Sequence, residues 1–314
     1  MKSLKTILFV LITIGFCTWW SSCKEDELAI TNSPIETPAE PAKMKGTADL
    51  LFSDYAPLKN NPIRLYYHVP ANATTLTPIL LVFHGTDRNA QYCRDEMIAN
   101  ANKLGFIIIA PEFSVQYYPT ADSYNLGNIF VDGDNPSPSS LNQETAWTFS
   151  AIEPIFNFMK AGIGSSLNSY DVFGHSAGGQ FVHRYLLYKP LAKINRLVTA
   201  SSGWYTMFDN SISFPYGTKH SPVELSNYNN LFNKKVFVIV GDLDIDPNSS
   251  DLRHNEIVDK QGLNRFTRAQ HFYTQSRAAA IQSNSAFNWK YYSLKGIGHD
   301  FSGTSAAAAN YLYQ

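Results

Sequence analysis

Apolar residues in this chain fall into two alternating rhythms from about residue 63 onward. Ile63–Val69, Pro78–Phe83, Gly105–Ala110, Tyr170–Phe173, Arg196–Ala200, Lys235–Val240 and Trp289–Leu294 are short, rich in β-branched and aromatic residues, and have the length of strands. Between them lie longer stretches with helical spacing: Asn89–Leu104, Asn142–Lys160, Gly178–Tyr188, Arg265–Gln282 and a last segment near the C-terminus. A run such as Gly105–Ala110 offers no polar face, so it must be covered on both sides, as in a parallel sheet. The alternation predicts an α/β fold: a doubly wound, mostly parallel sheet of about eight strands with right-handed crossovers. There is no internal repeat and no second domain boundary.

The first residues break this rhythm. A charged start at Lys2 and Lys5 leads into the apolar run Ile7–Phe16 and then Ser21-Ser22-Cys23, the layout of a signal peptide over residues 1–22. The run is about half of the roughly 20 residues that a membrane-crossing helix needs. Ser21-Ser22-Cys23 resembles the lipobox of bacterial lipoproteins, with Trp20 where that motif usually has an aliphatic residue. The resemblance implies lipidation of Cys23 and a lipid anchor in the bacterial cell envelope. Lys24-Glu25-Asp26-Glu27 also resembles an acidic tag for export to the surface of the outer membrane. Residues 23–46 carry prolines and acidic residues without apolar periodicity and read as a lipidated terminus and flexible linker. Residues 47–314 are expected to form the catalytic domain.

Composition narrows the partners. The 25 basic and 26 acidic residues nearly cancel, so nothing attracts a phosphate backbone, and nucleic acid is not an expected partner. With Cys17 removed and Cys23 acylated, Cys93 stands alone and no intramolecular disulfide can form, so stability must come from the core. Cys93 lies in a helical pattern and is assigned no chemical role.

The sharpest motif is Gly174-His175-Ser176-Ala177-Gly178, directly after an apolar strand and directly before a helix. This is the G-x-S-x-G nucleophile elbow in letters and in context. Small residues on either side let strand and helix approach, Ser176 is lifted as the nucleophile, and the Ala177 N–H is aimed at the reaction centre as an oxyanion donor. A serine hydroxyl needs a base, and the base needs an orienting acid, in the chain order Ser, acid, His. The strand Lys235–Val240 runs into Gly241-Asp242-Leu243-Asp244-Ile245-Asp246, which offers three aspartates. The last strand runs into Gly296-Ile297-Gly298-His299, which makes His299 the candidate base. His183, inside a helix, is typical of the remaining histidines. The loop after the third strand reads Phe83-His84-Gly85-Thr86, which suggests the Thr86 N–H as second oxyanion donor and a structural part for His84.

From His84 to His299 the chain resembles the α/β-hydrolase superfamily, and within it the serine esterases related to poly(3-hydroxybutyrate) depolymerases and feruloyl esterases. The features are His84-Gly85 with Arg88-Asn89, Ala110-Pro111-Glu112-Phe113, Gly174-His175-Ser176-Ala177-Gly178-Gly179, and Gly298-His299. In that family the acid commonly sits three residues past the glycine ending its strand, which favours Asp244 over Asp242 and Asp246. The resemblance implies cleavage of carboxylic esters through an acyl-enzyme, without a cofactor, on polysaccharide-linked or polyester substrates. Tyr117, Tyr118, Tyr124, Trp147, Trp204, Tyr205 and Tyr216 could supply an aromatic platform, with Trp204 and Tyr205 the leading substrate contacts. Asp132-Gly133-Asp134-Asn135 lacks the closing glutamate of a calcium loop and reads as a turn. No zinc spacing or phosphate cradle occurs, so no metal is expected. The competing expectation is a surface glycan-binding lipoprotein that keeps the fold without catalysis.

Overall fold

A computed structural model describes residues 43–223 and 228–314. Residues 1–22, expected to be a signal peptide, and Cys23 lie outside the described residues. The strands are β1 (Gly46–Phe52), β2 (Ile63–Val69), β3 (Ile79–Phe83), β4 (Ile107–Glu112), β5 (Tyr170–His175), β6 (Ile194–Ala200), β7 (Lys235–Gly241) and β8 (Trp289–Leu294). They form one eight-stranded sheet in the order β1-β2-β4-β3-β5-β6-β7-β8. β1, β2 and β4 pair antiparallel, and every pairing from β4 through β8 is parallel. This is the doubly wound, mostly parallel sheet that the alternating pattern predicts and the arrangement that the resemblance implies.

The helices are α1 (Ala90–Leu104), α2 (Ile152–Ile163), α3 (Ala177–Tyr188), α4 (Tyr228–Asn233), α5 (Arg265–Gln282) and α6 (Phe301–Tyr313). Among the described residues none is long and apolar enough to cross a membrane. They divide between the two faces of the sheet, as the side chains of β3 illustrate. Ile79, Leu81 and Phe83 point into a core shared with Phe156 of α2, Phe181 of α3 and Phe272 of α5. Leu80 and Val82 point into a second core with Cys93 and Met97 of α1 and Ala308 and Leu312 of α6. All five β3 residues are buried, which is why this strand has no polar alternation. Cys93 is a core residue there, with burial pushing its thiol up to about 12, where the thiolate is absent near neutrality.

Two elements escape the apolar pattern. β1 is an exposed edge strand along most of its length, so burial imposes no alternation on Gly46–Phe52. The expected helix from Asn142 begins instead with two short 3₁₀ turns, Glu144–Ala146 and Thr148–Ala151, before α2 starts at Ile152. The short α4 was likewise not foreseen.

Because β3 and β5 to β8 are mutually parallel, their C-terminal ends lie along one edge, and the loops after Phe83, His175, Ala200, Gly241 and Leu294 gather there. Two buried histidines brace these loops. His84 donates from Nδ1 to the Gly85 carbonyl (2.9 Å) and accepts the Phe113 N–H at Nε2 (3.1 Å). Its ring stacks on Tyr124, whose hydroxyl donates to the His84 carbonyl (2.7 Å). His183 bridges the Gly179 carbonyl (3.0 Å) and the Thr206 N–H (3.1 Å) in the same way. Each ring must be neutral to make this donor–acceptor pair. Burial pushes His84 down to about 3 and His183 well below the usual histidine range.

Both rings take up a proton in the unfolded chain near the ordinary value of 6.5 but not in the folded one. Their contribution is therefore complete above pH 6.5 and is lost as the pH falls toward 3, on the order of 5 kcal/mol for His84. Urea midpoints should drop steadily below pH 6.5. In His84→Gln the slope of stability against pH should fall by about one bound proton, while stability at pH 8 is already lower; an unchanged slope would contradict the assignment.

Candidate active site

The elbow at Ser176 begins with backbone geometry. Ser176 has φ 57° and ψ −119°, a conformation costing about 1–3 kcal/mol for a residue with a side chain, and its N–H is held by the Ala200 carbonyl at 2.9 Å. The turn is tight because strand and helix nearly touch. A Cβ on Gly174 would come within 2.2 Å of the Gly178 carbonyl oxygen, and one on Gly178 within 2.0 Å of the Phe83 carbonyl oxygen. The two glycines of the motif are thus required by contact on both sides of the serine.

His299 reaches the same place from β8. Asp242 N–H donates to the Leu294 carbonyl (3.0 Å) and Leu243 N–H to the Ile297 carbonyl (2.9 Å), so the loops after β7 and β8 are stitched together. Gly241 permits this, since a Cβ there would lie 2.1 Å from the Ile297 carbonyl oxygen. Asp300 then caps α6, accepting the N–H groups of Ser302 and Gly303, which fixes the backbone immediately after His299.

The result is a continuous relay. His299 Nδ1 donates to Asp244 Oδ2 at 2.9 Å, which leaves Nε2 as acceptor for the Ser176 hydroxyl at 3.1 Å. Ser176 and Asp244 are 6% and 4% exposed, so the relay is shielded from bulk water while the His299 ring stays partly open. Of the three candidate aspartates the structure brings Asp244 to His299. Asp242 accepts the Gly296 N–H in the loop after β8 (2.7 Å), and Asp246 accepts the Asn248 N–H two residues on (2.8 Å) as a turn residue.

Asp244 is held by groups that no sequence motif announces. Its carbonyl accepts the Phe266 N–H in the first turn of α5 (3.1 Å), and its Oδ1 lies 3.7 Å from Arg265 Nη1. Arg265 is buried and also donates to Asp251 Oδ1 (2.6 Å) and Ser249 Oγ (3.2 Å). Burial works to raise the Asp251 carboxyl, but the hydrogen bonds from Ser249 and Arg265 outweigh it and hold it at about 2. Arg268, fully buried, ties the Gly203 carbonyl (2.7 Å) to Asp259 (2.9 Å), bracing the loop after β6. His175 packs its ring 4.7 Å from that of His299 and against the edge of Phe301. Burial, then the nearby His299 and Arg265, pushes it well below the usual histidine range, so it contributes shape and no charge.

Around Ser176, a Cβ built on Gly85 would lie 3.6 Å from the Ser176 Cβ, so the loop that carries Thr86 runs beside the elbow. Ala177 is the first residue of α3, where an N–H has no partner within the helix. Neither the Ala177 nor the Thr86 N–H meets an acceptor among the described residues.

The two proposed substrate contacts are corrected. Tyr205 is fully buried, its ring stacked on Phe272 at 4.2 Å and its backbone paired with the Gln261 side chain, so no face is left for a ligand. Trp204 is 3% exposed, with the guanidinium groups of Arg184 and Arg253 at 4.1 and 5.0 Å from its ring centre. Aromatic character after β6 marked a core position, because the Gly203 turn sends both rings inward. Tyr118, Tyr124, Trp147 and Tyr216 are buried as well, and the Asp132 segment is a turn in which Asp132 accepts the N–H groups of Asp134 and Asn135.

No protein-family model and no curated protein matches the chain. Solved structures do. Poly(aspartic acid) hydrolase-1 from Sphingomonas sp. KT-1 is 35% identical over 86% of this chain and 99% of its own, with a TM-score of 0.79. A poly(3-hydroxybutyrate) depolymerase from Bordetella parapertussis is 28% identical over 86% of this chain and 91% of its own, with a TM-score of 0.78. An S-formylglutathione hydrolase from Agrobacterium tumefaciens, 12% identical with a TM-score of 0.51 over 86% of this chain and 95% of its own, shares the fold alone. The eight-stranded sheet and the identity to the Sphingomonas enzyme together make this chain a member of the α/β-hydrolase family that includes poly(aspartic acid) hydrolase-1.

Proposed function

We propose that the chain is a serine esterase that cleaves carboxylic esters through an acyl-enzyme. The observation that carries this reading is the unbroken relay Ser176–His299–Asp244, with hydrogen bonds of 3.1 and 2.9 Å, next to two N–H groups without acceptors. His299 removes the Ser176 proton as the hydroxyl attacks the ester carbonyl, and Asp244 keeps the imidazole in the tautomer that can accept it. The N–H groups of Ala177 and Thr86 stabilise the oxyanion. His299 returns the proton to the leaving alcohol and then activates water to release the acid. The non-catalytic glycan-binding alternative is disfavoured because a binding protein has no need of an intact relay.

The names of two similar structures, a poly(aspartic acid) hydrolase and a poly(3-hydroxybutyrate) depolymerase, support a polymeric acyl substrate. Residues 1–27 support export, lipidation of Cys23 and anchoring in the outer membrane, which would hold the enzyme beside an extracellular polymer.

On p-nitrophenyl esters from acetate to decanoate, Ser176→Ala should lose at least 10³-fold in kcat, and Asp244→Asn about 10²–10⁴-fold, with both variants folded by circular dichroism. A fluorophosphonate should label the wild type at Ser176, and residual turnover by Ser176→Ala near the wild-type rate would remove the proposal.

A further inference from the structure

One helical turn beyond Ser176 lies Gln180, whose N–H donates to the Ser176 carbonyl at 3.0 Å. Helical side chains lean toward the N-terminus, so the Gln180 amide sits over the turn that carries the nucleophile, about one 5.4 Å pitch away. Gln180 is 7% exposed and so is Asn125, and Asn125 Nδ2 donates to Gln180 Oε1 at 2.9 Å. Among the described residues this leaves Gln180 Nε2 without an acceptor and Asn125 Oδ1 without a donor. Neither atom is among the fully enclosed ones, so both stay open to water or to a ligand.

Arg184 fixes which way the pair points. Its Nη1 donates to the carbonyls of Asn125 and Gln180, each at 3.1 Å, and reaches Gln180 Oε1 at 3.4 Å. A flipped Gln180 would set its NH₂ against the guanidinium, so the oxygen faces Arg184 and the NH₂ faces away. On that side lies Gly203, where a Cβ would come within 3.0 Å of Nε2. Gly203 belongs to the loop after β6, at the sheet edge that carries Ser176, so the free N–H faces this loop. Arg184 is fully buried, has no carboxylate partner among the described residues, and is lowered only to about 9 by burial, so it is cationic near neutrality. Its field favours an acceptor oxygen at the far end of the amide it grips.

We propose that Gln180 and Asn125 form an acyl subsite that reads a second carbonyl, a few bonds beyond the scissile one. Gln180 Nε2 donates to that carbonyl oxygen, and Asn125 Oδ1 accepts a neighbouring N–H where the unit is an amide. The enzyme is thereby set for acyl chains built of repeating ester or amide units and against plain alkyl chains. This rests on acyl transfer at Ser176.

Three isosteric methyl esters separate the possibilities: pentanoate, acetoxyacetate and N-acetylglycinate, with enzymatic rates divided by their hydroxide-catalysed rates. Wild type should prefer both carbonyl-bearing substrates by about tenfold or more in kcat/KM over pentanoate, and an added preference for N-acetylglycinate would assign the amide source. In Gln180→Met the preference should vanish, bringing the three corrected rates within about twofold of one another. Equal corrected rates in wild type, or an unchanged ratio in Gln180→Met, would overturn the subsite. Should none of the esters turn over, ester hydrolysis itself fails. Saturation-transfer NMR of the three compounds on Ser176→Ala then decides the subsite alone, with equal binding to all three refuting it.

Discussion

A residue with a side chain held at positive φ is placed between β5 and α3, and the site is arranged around that constraint. Ser176 keeps this conformation because its N–H is tied to Ala200 and because Gly174, Gly178 and the Phe83 carbonyl leave the chain no room to relax. The same crowding directs the hydroxyl away from the sheet toward His299 and opens the Ala177 N–H at the start of α3. A methyl group at either glycine would collide with backbone, which cannot yield without parting strand from helix.

Holding one strained residue requires rigid surroundings, and here charge supplies much of the rigidity. Arg265 and Arg268, both at the N-terminal end of α5, are buried but matched: one lies between Asp244 and Asp251, the other between Asp259 and the Gly203 carbonyl. Removing either partner would strand a charge in the interior, so these pairs fix geometry more firmly than a surface ion pair could. The acid loop and the loop after β6 are thus anchored to one helix, and His299 inherits its position from the first of them. Arg184 differs in having only neutral partners, Trp204, Thr206 and two carbonyls, which marks the ground beneath Gln180 as polar rather than fatty.

The α/β-hydrolase fold places the reacting groups on loops at the C-terminal ends of parallel strands, where the sequence can vary without touching the core. In this chain that edge combines a buried serine and aspartate with a partly open histidine. The buried histidines His84 and His183 serve the scaffold instead, each spending both ring nitrogens on backbone groups.

Local periodicity was enough to determine the strands that are buried on both faces, the helices that pack on them, and the elbow, because each is encoded by neighbours within a few residues of one another. Chain order along the sheet edge likewise brought His299 forward and narrowed the acid to Asp242, Asp244 or Asp246. The exposed edge strand β1 carried no such signal, since no burial disciplines its alternation. The family resemblance favoured Asp244, but only the tertiary structure seated it against His299, turned Trp204 and Tyr205 into the core, and brought Arg265 beside Asp244 and Asn125 against Gln180. Those outcomes depend on contacts between residues as far as 55 positions apart, Asn125 with Gln180 and Asp244 with His299, and on which face of a loop the packing leaves open. Neither is written in any short stretch of chain.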